Sequence, residues 1–115
     1  MNVKRAIELS RIARYYGEEK QVCKLIEELG EATSAASEVL MRMTFREDDG
    51  KDSDLIERIE HLAEELADVI NVAEQVVYLF GLECDFDYAK RAGIDKTIKR
   101  IEEGRNGTDG SGDAG

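Results

Sequence analysis

The sequence of 115 residues lacks proline and tryptophan, and only 6% of its residues are aromatic. So few aromatic side chains argue against a function that depends on stacking platforms. With 42% hydrophobic and 37% charged residues, the composition is typical of helices that carry one apolar stripe and one charged face. The length corresponds to a single domain.

Cysteine is scarce as well, since Cys23 and Cys84 are the two in the chain and stand in no metal-ligand spacing. The N-terminus shows no basic stretch followed by an apolar one, so we do not expect a secreted disulfide scaffold. The two cysteines are expected to be buried free thiols in a reducing compartment. The longest apolar run, residues 76–80, is too short to span a bilayer. These features predict a soluble, cytoplasmic protein.

Positive charge is outnumbered, and the formal net charge at pH 7 is -10. Such an acidic surface repels nucleic acid polymers and anionic membranes, so we expect neither as a partner. A phosphate ligand is still compatible with this charge, because a divalent metal between protein and phosphate would be the largest local charge.

The hydrophobic pattern predicts four helices, because apolar residues recur with a period close to 3.6 and no segment alternates with a period of two. The predicted helices span residues 2–16, 18–44, 54–80 and 85–103. Gly17 and Gly81 are expected to end the first and third helices, and Gly93 is a possible break in the fourth. The polar segment 47–54 is expected to form a loop, with Ser53 or Asp54 capping the third helix.

We therefore predict an all-α fold. The two long helices should form an antiparallel pair with the shorter helices packed against it, as a bundle of about four helices over residues 1–103. Residues 104–115 are rich in glycine and polar, and we expect a flexible tail there. The apolar arc of residues 69–80 is wider than the partners in so small a domain can cover. We therefore expect oligomerisation to complete the bundle, as a homodimer or homotetramer.

Two acidic blocks, EELGE and EELAD, fall in the two long helices. In each block two carboxylates are three residues apart, Glu28 with Glu31 and Glu65 with Asp68, so each pair shares one helix face. Each pair borders the apolar stripe, and antiparallel packing can bring the four carboxylates together at one edge of the seam. Four carboxylates converging near a low-dielectric core need a cation, and oxygen ligands favour Mg²⁺, with Mn²⁺ as a second possibility.

The blocks have two other interpretations. They are also compatible with solvated helix faces whose carboxylates pair with lysines one turn away. A di-iron carboxylate site requires a histidine three residues after a glutamate. The single histidine, His61, has Arg58 at that spacing, so the di-iron interpretation is poorly supported.

The order of the two blocks resembles the MazG-like all-α nucleotide pyrophosphatases. This superfamily also includes the dimeric dUTPases and phosphoribosyl-ATP pyrophosphatase. Its pattern is EExxE, a spacer and then ExxD, and the likeness covers about residues 21–100. The spacer between Glu31 and Glu65 is longer than the family's commonest form, which bears on the subfamily more than on the metal site.

The resemblance implies metal-dependent hydrolysis of a nucleoside triphosphate between the α and β phosphates, giving the monophosphate and pyrophosphate. It implies four metal ligands, which are Glu28, Glu31, Glu65 and Asp68. Glu27 and Glu64 would then act outside the ligand set as candidates for the general base.

Four further polar residues are candidates for substrate binding. Lys24 is placed either to pair with the first acidic block or to meet a phosphate. Asn71 lies one turn after Asp68, where its amide would contact substrate or a carboxylate, or form an interhelical hydrogen bond. Lys90 and Lys96 belong to a basic fourth helix, and the resemblance implies that such residues approach the triphosphate. The alternative for both is a solvated face, with cations near the C-terminus favoured by the helix dipole.

The alternatives to this function are a non-catalytic helical dimerisation or interaction module and, within the superfamily, a phosphoribosyl-ATP pyrophosphatase or a dUTPase-like enzyme. The sequence leaves the base and the sugar of the nucleotide open.

Overall fold

The computed structural model describes residues 2–45 and 53–105, and all regular secondary structure within these ranges is helical. The helices are α1 (Val3–Tyr16), α2 (Glu18–Thr44), α3 (Ser53–Leu79) and α4 (Glu83–Arg105). The predicted all-α class is confirmed. No helix in these ranges combines the length and the apolar character needed to cross a bilayer.

Local backbone chemistry sets both ends of α1. The side chain of Asn2 caps the helix by accepting a hydrogen bond from the Lys4 N–H at 2.8 Å, so α1 begins one residue later than predicted. Gly17 has φ 87°, a conformation that residues with a Cβ rarely adopt. Its N–H donates to the Ala13 carbonyl at 2.8 Å. This one glycine ends α1 and allows α2 to begin at the next residue.

The bounds of the last two helices differ slightly from the prediction. α3 begins and ends one residue early, and most of the predicted 47–54 loop lies outside the described residues. α4 extends the predicted 85–103 helix by two residues at each end, and Gly93 does not break it. A single helical glycine costs only about 1 kcal/mol relative to alanine, so the helical turns on either side can offset this cost. α4 thus includes Gly104 and Arg105, the first two residues of the predicted tail, while residues 106–115 lie outside the described part.

Helices α2 and α3 pack along each other as an antiparallel pair. Gln21, near the start of α2, donates a hydrogen bond to Gln75, near the end of α3. Arg42, near the end of α2, pairs with Asp54 at the start of α3, with 2.7 Å between nitrogen and oxygen. Contacts that join the start of one helix to the end of the other confirm the predicted antiparallel arrangement.

Small side chains make up most of the interior of the three-helix part. The buried hydrophobic residues in the described chain are Ala13, Ala32, Ala35 and Val72. α1 packs mainly on α3, and less on α2. Larger apolar side chains are exposed, among them Ile26 and Ile70. The apolar area buried within this chain is therefore modest, which limits the stabilisation that the core supplies.

The structure shows the state and the exposure of both cysteines. Cys23 and Cys84 are free, as predicted, but both are exposed, so the expected burial is wrong. Cys23 lies on α2 and Cys84 in the first turn of α4. Cys23 is thus not among the buried residues of the first three helices.

The chain divides into two compact units, Met1–Gly81 and Leu82–Gly115. In the second unit, α4 is supported by ion pairs between side chains three or four residues apart. Lys90 pairs with Asp87 at 3.3 Å, and Arg91 with Asp95 at 3.0 Å. Such pairs each add a few tenths of a kcal/mol to an exposed helix.

Candidate metal centre

The two acidic blocks meet across the seam between α2 and α3. Glu28, Glu31 and Glu65 each place a carboxylate oxygen within 4.8 Å of the other two. Glu28 and Glu31 are one turn apart on α2 and share a face. The antiparallel register sets Glu65 of α3 opposite them. Three of the four predicted ligands are thus brought together.

Two of these carboxylates are removed from water. The side chain of Glu28 is 7% exposed and that of Glu65 is 13% exposed. The Oε2 atom of each is buried and accepts no hydrogen bond from the described residues. A buried carboxylate oxygen without a donor carries a desolvation cost that neither helix offsets. These two oxygens are therefore positioned for a ligand that supplies positive charge.

The charges in the cluster act on one another. The pKa of Glu31 is raised above its ordinary value, first by the charge of Glu28, then by burial and by Glu65. A raised carboxyl pKa means that repulsion from the other two carboxylates disfavours the ionised form of Glu31. The cluster thus favours taking up a proton or a cation over remaining fully ionised and bare.

Lys24 supplies a positive charge at one side of the cluster. Its Nζ lies 3.1 Å from Glu28 and 3.6 Å from Glu27. The hydrogen bond to Glu28 is the largest cause of a raised Lys24 pKa. The ion-pair alternative for Lys24 is thus what the structure shows. One lysine does not balance three carboxylates, so a net negative charge remains.

Asp68, the fourth predicted ligand, is exposed and is not part of the cluster. It lies one turn beyond Glu65 on α3, displaced by about 4.5 Å along the helix axis. The proposed base candidates also face outward. Glu27 is exposed beside Lys24, and Glu64 is exposed with its carboxylate 3.9 Å from His61 Nδ1.

His61 is a neighbour of the site that the sequence analysis did not assign to it. Its Nε2 lies 3.7 Å from Glu65 Oε1, and the ring is about half exposed. The residue precedes Glu65 by four positions, which places the two side chains on one helix face. That spacing was a sequence feature from which the proximity could have been predicted.

Asn71 takes part in a contact between helices. Its Oδ1 accepts a hydrogen bond from Arg5 of α1 at 2.7 Å, and Arg5 also pairs with Glu74 at 2.8 Å. The hydrogen bond to Glu74 is the largest cause of a raised Arg5 pKa. The interhelical alternative for Asn71 is thus present. Arg5 was not predicted from the sequence, because its partners are distant along the chain.

The two lysines predicted to approach phosphate lie in the second unit. Lys90 lies 4.7 Å from the centre of the Phe86 ring, in addition to its ion pair with Asp87. Lys96 is exposed. Their roles in substrate binding remain predictions.

The donor set of the cluster fits a hard divalent cation. All three groups offer carboxylate oxygen, which suits Mg²⁺ or Mn²⁺ and not soft metals. The two buried oxygens without donors are consistent with such an ion. Mg²⁺ usually keeps several water molecules and binds through one or two carboxylates plus substrate phosphate, so three protein ligands leave room for a phosphate group.

Comparison of the chain with protein-family models, with curated proteins and with solved structures found no match in any of the three.

Proposed function

We propose that the protein is a metal-dependent nucleoside triphosphate pyrophosphohydrolase. The observation that carries this proposal is the convergence of Glu28, Glu31 and Glu65 within 4.8 Å of one another, with two buried oxygens that lack a hydrogen-bond donor. The order of the acidic blocks, which resembles the MazG-like pyrophosphatases, supports a nucleotide as the substrate.

In this proposal the carboxylates hold Mg²⁺, with Mn²⁺ as a substitute. The chemistry that the ion supplies when bound is Lewis acidity toward phosphate oxygens. Glu28 and Glu65, being partly or fully buried, provide the rigid part of the site, and Glu31 provides the exposed edge. Glu27 and Glu64, which are exposed outside the cluster, are the proposed acceptors of a proton from the attacking water.

Asp68 joins the ligand set only if its side chain or α3 shifts when the ion binds. Catalytic contacts are often long in a free enzyme and tighten in the substrate complex, so Asp68 stays in the proposal. Lys24, Asn71, Lys90 and Lys96 remain the proposed substrate contacts.

The exposed apolar side chains support a homo-oligomer as the active form. Ile70 is 55% exposed although it lies in the apolar arc of α3. A second copy that covers this arc would bury apolar area that one chain leaves in water. The same exposure favours the second candidate function, a helical interaction module without catalytic activity.

The test is a pyrophosphate-release screen with Mg²⁺ across canonical and modified nucleoside triphosphates, with phosphoribosyl-ATP included. We expect release from at least one nucleotide, dependence on Mg²⁺, and a melting temperature that rises with Mg²⁺. An interaction module would show neither release nor a metal-dependent shift.

The matched variants are Glu28→Gln, Asp68→Asn and Glu60→Gln. Glu28→Gln should abolish turnover while the circular dichroism spectrum remains helical. Glu60 is exposed on α3 outside the cluster, so its variant should keep full activity. Loss of activity in Asp68→Asn would place Asp68 in the working site. Full activity of Glu28→Gln would rule out the ligand assignment.

A further inference from the structure

A pocket opens at the end of the α2–α3 pair where α2 ends and α3 begins. It has a volume of about 240 Å³ and is lined by Glu38, Met41, Arg42, Phe45 and Arg58. Ligand pockets for drug-sized molecules usually start at about 300 Å³. This pocket is therefore suited to one flat ring system rather than to a whole nucleotide.

The pocket lies on the same side of the seam as the carboxylates. Glu38 follows Glu31 by seven residues on α2, and Arg58 precedes Glu65 by seven residues on α3. Seven residues are close to two full helical turns, so each pair shares a face and is separated by about 10.5 Å along the axis. Glu38 and Arg58 contact each other across the seam, as the carboxylates do. This spacing is comparable to the reach from phosphate to base in an extended nucleotide.

The walls of the pocket combine an apolar face with polar edges. Phe45 is 74% exposed and Met41 is 60% exposed, so both are available to cover the face of a planar ring. Stacking between a base and an aromatic side chain is a recurrent mode of nucleotide recognition.

The polar edges offer both donors and an acceptor. Arg42 pairs with Asp54 through Nε, whereas Arg58 contacts Glu38 through Nη1 and lies 3.8 Å from Asp54 through Nε. A guanidinium has five N–H donors, so each arginine retains donors after these contacts. The carboxylate of Glu38 supplies acceptor capacity. Guanine presents O6 and N7 as a pair of acceptors that arginine binds in bidentate fashion, and it also carries an amino donor.

We propose that this pocket binds the base of the substrate nucleotide and that its donors and acceptor favour guanine. In this proposal the phosphates of the nucleotide point toward Glu31 and Glu65. That orientation rests on the proposed function. The binding of the base itself requires no metal.

The test is an NMR titration of the full metal-free chain with guanosine in EDTA, with cytidine as the comparison nucleoside. Wild type should bind guanosine more tightly than cytidine. Phe45→Ala should weaken guanosine binding about tenfold, equivalent to about 1.4 kcal/mol. Met43→Ala is the matched control, since Met43 is an exposed apolar residue near the end of α2 that does not line the pocket, and it should bind like wild type.

Arg58→Lys tests the polar edge separately. Lysine keeps the charge opposite Glu38 but lacks the planar fork of donors. We expect the preference for guanosine over cytidine to fall while the helical content is retained. Unchanged preference in this variant would overturn the assignment of guanine.

The outcomes separate this inference from the proposed function. Guanosine binding that Phe45→Ala weakens, in a protein that releases no pyrophosphate, would support the pocket and reject the hydrolase. Pyrophosphate release combined with equal guanosine binding by wild type and Phe45→Ala would reject the pocket and leave the hydrolase standing. Absence of guanosine binding by wild type would also overturn the pocket.

Discussion

Replacing Glu65 by glutamine should stabilise the metal-free protein, against the usual tendency of substitutions to destabilise. Glu65 faces Glu28 across the seam at no more than 4.8 Å between carboxylate oxygens. Two unit charges at that distance repel by about 3.5 kcal/mol at an effective dielectric constant of about 20. In the unfolded chain the two residues are far apart and this repulsion is absent.

The net gain should be smaller than the full repulsion. Side chains relax, and the contact of Glu65 with His61 at 3.7 Å is altered. A glutamine amide at this position can donate to the buried Glu28 oxygen that has no donor. We expect a net stabilisation of about 1–2 kcal/mol. For a domain of this size each kcal/mol corresponds to about 4–8 °C in melting temperature.

The assay is thermal unfolding followed by circular dichroism, with and without Mg²⁺. Without the metal, Glu65→Gln should melt above wild type. An ion at 100 times its dissociation constant would stabilise wild type by about 2.7 kcal/mol, and the variant should gain little. The order of the two melting temperatures should therefore reverse when Mg²⁺ is added.

Glu60→Gln serves as the control, because it removes the same charge from the same helix at an exposed position. Its effect should stay within about 0.5 kcal/mol. If metal-free Glu65→Gln melts below wild type, the repulsion is refuted. If variant and wild type respond equally to Mg²⁺, the metal site is refuted.

Three other substitutions probe the remaining contacts. Glu31→Gln tests the pH dependence of stability. Neighbouring charge raises the pKa of Glu31 above its ordinary 4.5. Between these two pKa values the folded state therefore retains a proton that the unfolded chain has released. Stability should therefore fall as pH rises from 4.5 through the raised pKa, and urea unfolding across this range should show a flatter profile for the variant. Gln75→Leu leaves the buried amide of Gln21 without its partner and should cost about 1–3 kcal/mol, whereas the double variant Gln21→Leu/Gln75→Leu should recover most of that loss in denaturant titrations. Arg5→Gln removes the ion pair of Arg5 with Glu74 and weakens its contact with Asn71, both of which tie α1 to α3, so hydrogen exchange should accelerate in α1 and stay slow along α2 and α3; a uniform acceleration would contradict this.

Much of the helical framework was predictable because it depends on local chemistry. The 3.6-residue period of apolar positions located α2 at its observed bounds, and Gly17 marked the junction between α1 and α2. Helix ends were less well predicted where capping competed with periodicity. Asn2 became a cap instead of the first helical residue, and α4 continued through Gly93 and Gly104.

The contacts of single side chains were harder to predict. Exposure of Cys23 could not be read from the sequence, because it depends on how little apolar volume three helices enclose around Ala32 and Ala35. The partners of Arg5 are more than sixty positions away in sequence, so no periodic pattern indicates them.

The acidic blocks show where local information ends. Spacing of three residues places Glu28 with Glu31, and Glu65 with Asp68, on shared helix faces, and any helix with this sequence would do the same. Which of the four converge depends on the axial register and rotation of α2 against α3. Those are set by packing of small residues and by cross-seam contacts such as Gln21 with Gln75. The tertiary structure joins Glu65 to the pair on α2 and leaves Asp68 exposed outside the cluster, because the register of α3 against α2 sets Glu65, and not Asp68, opposite that pair.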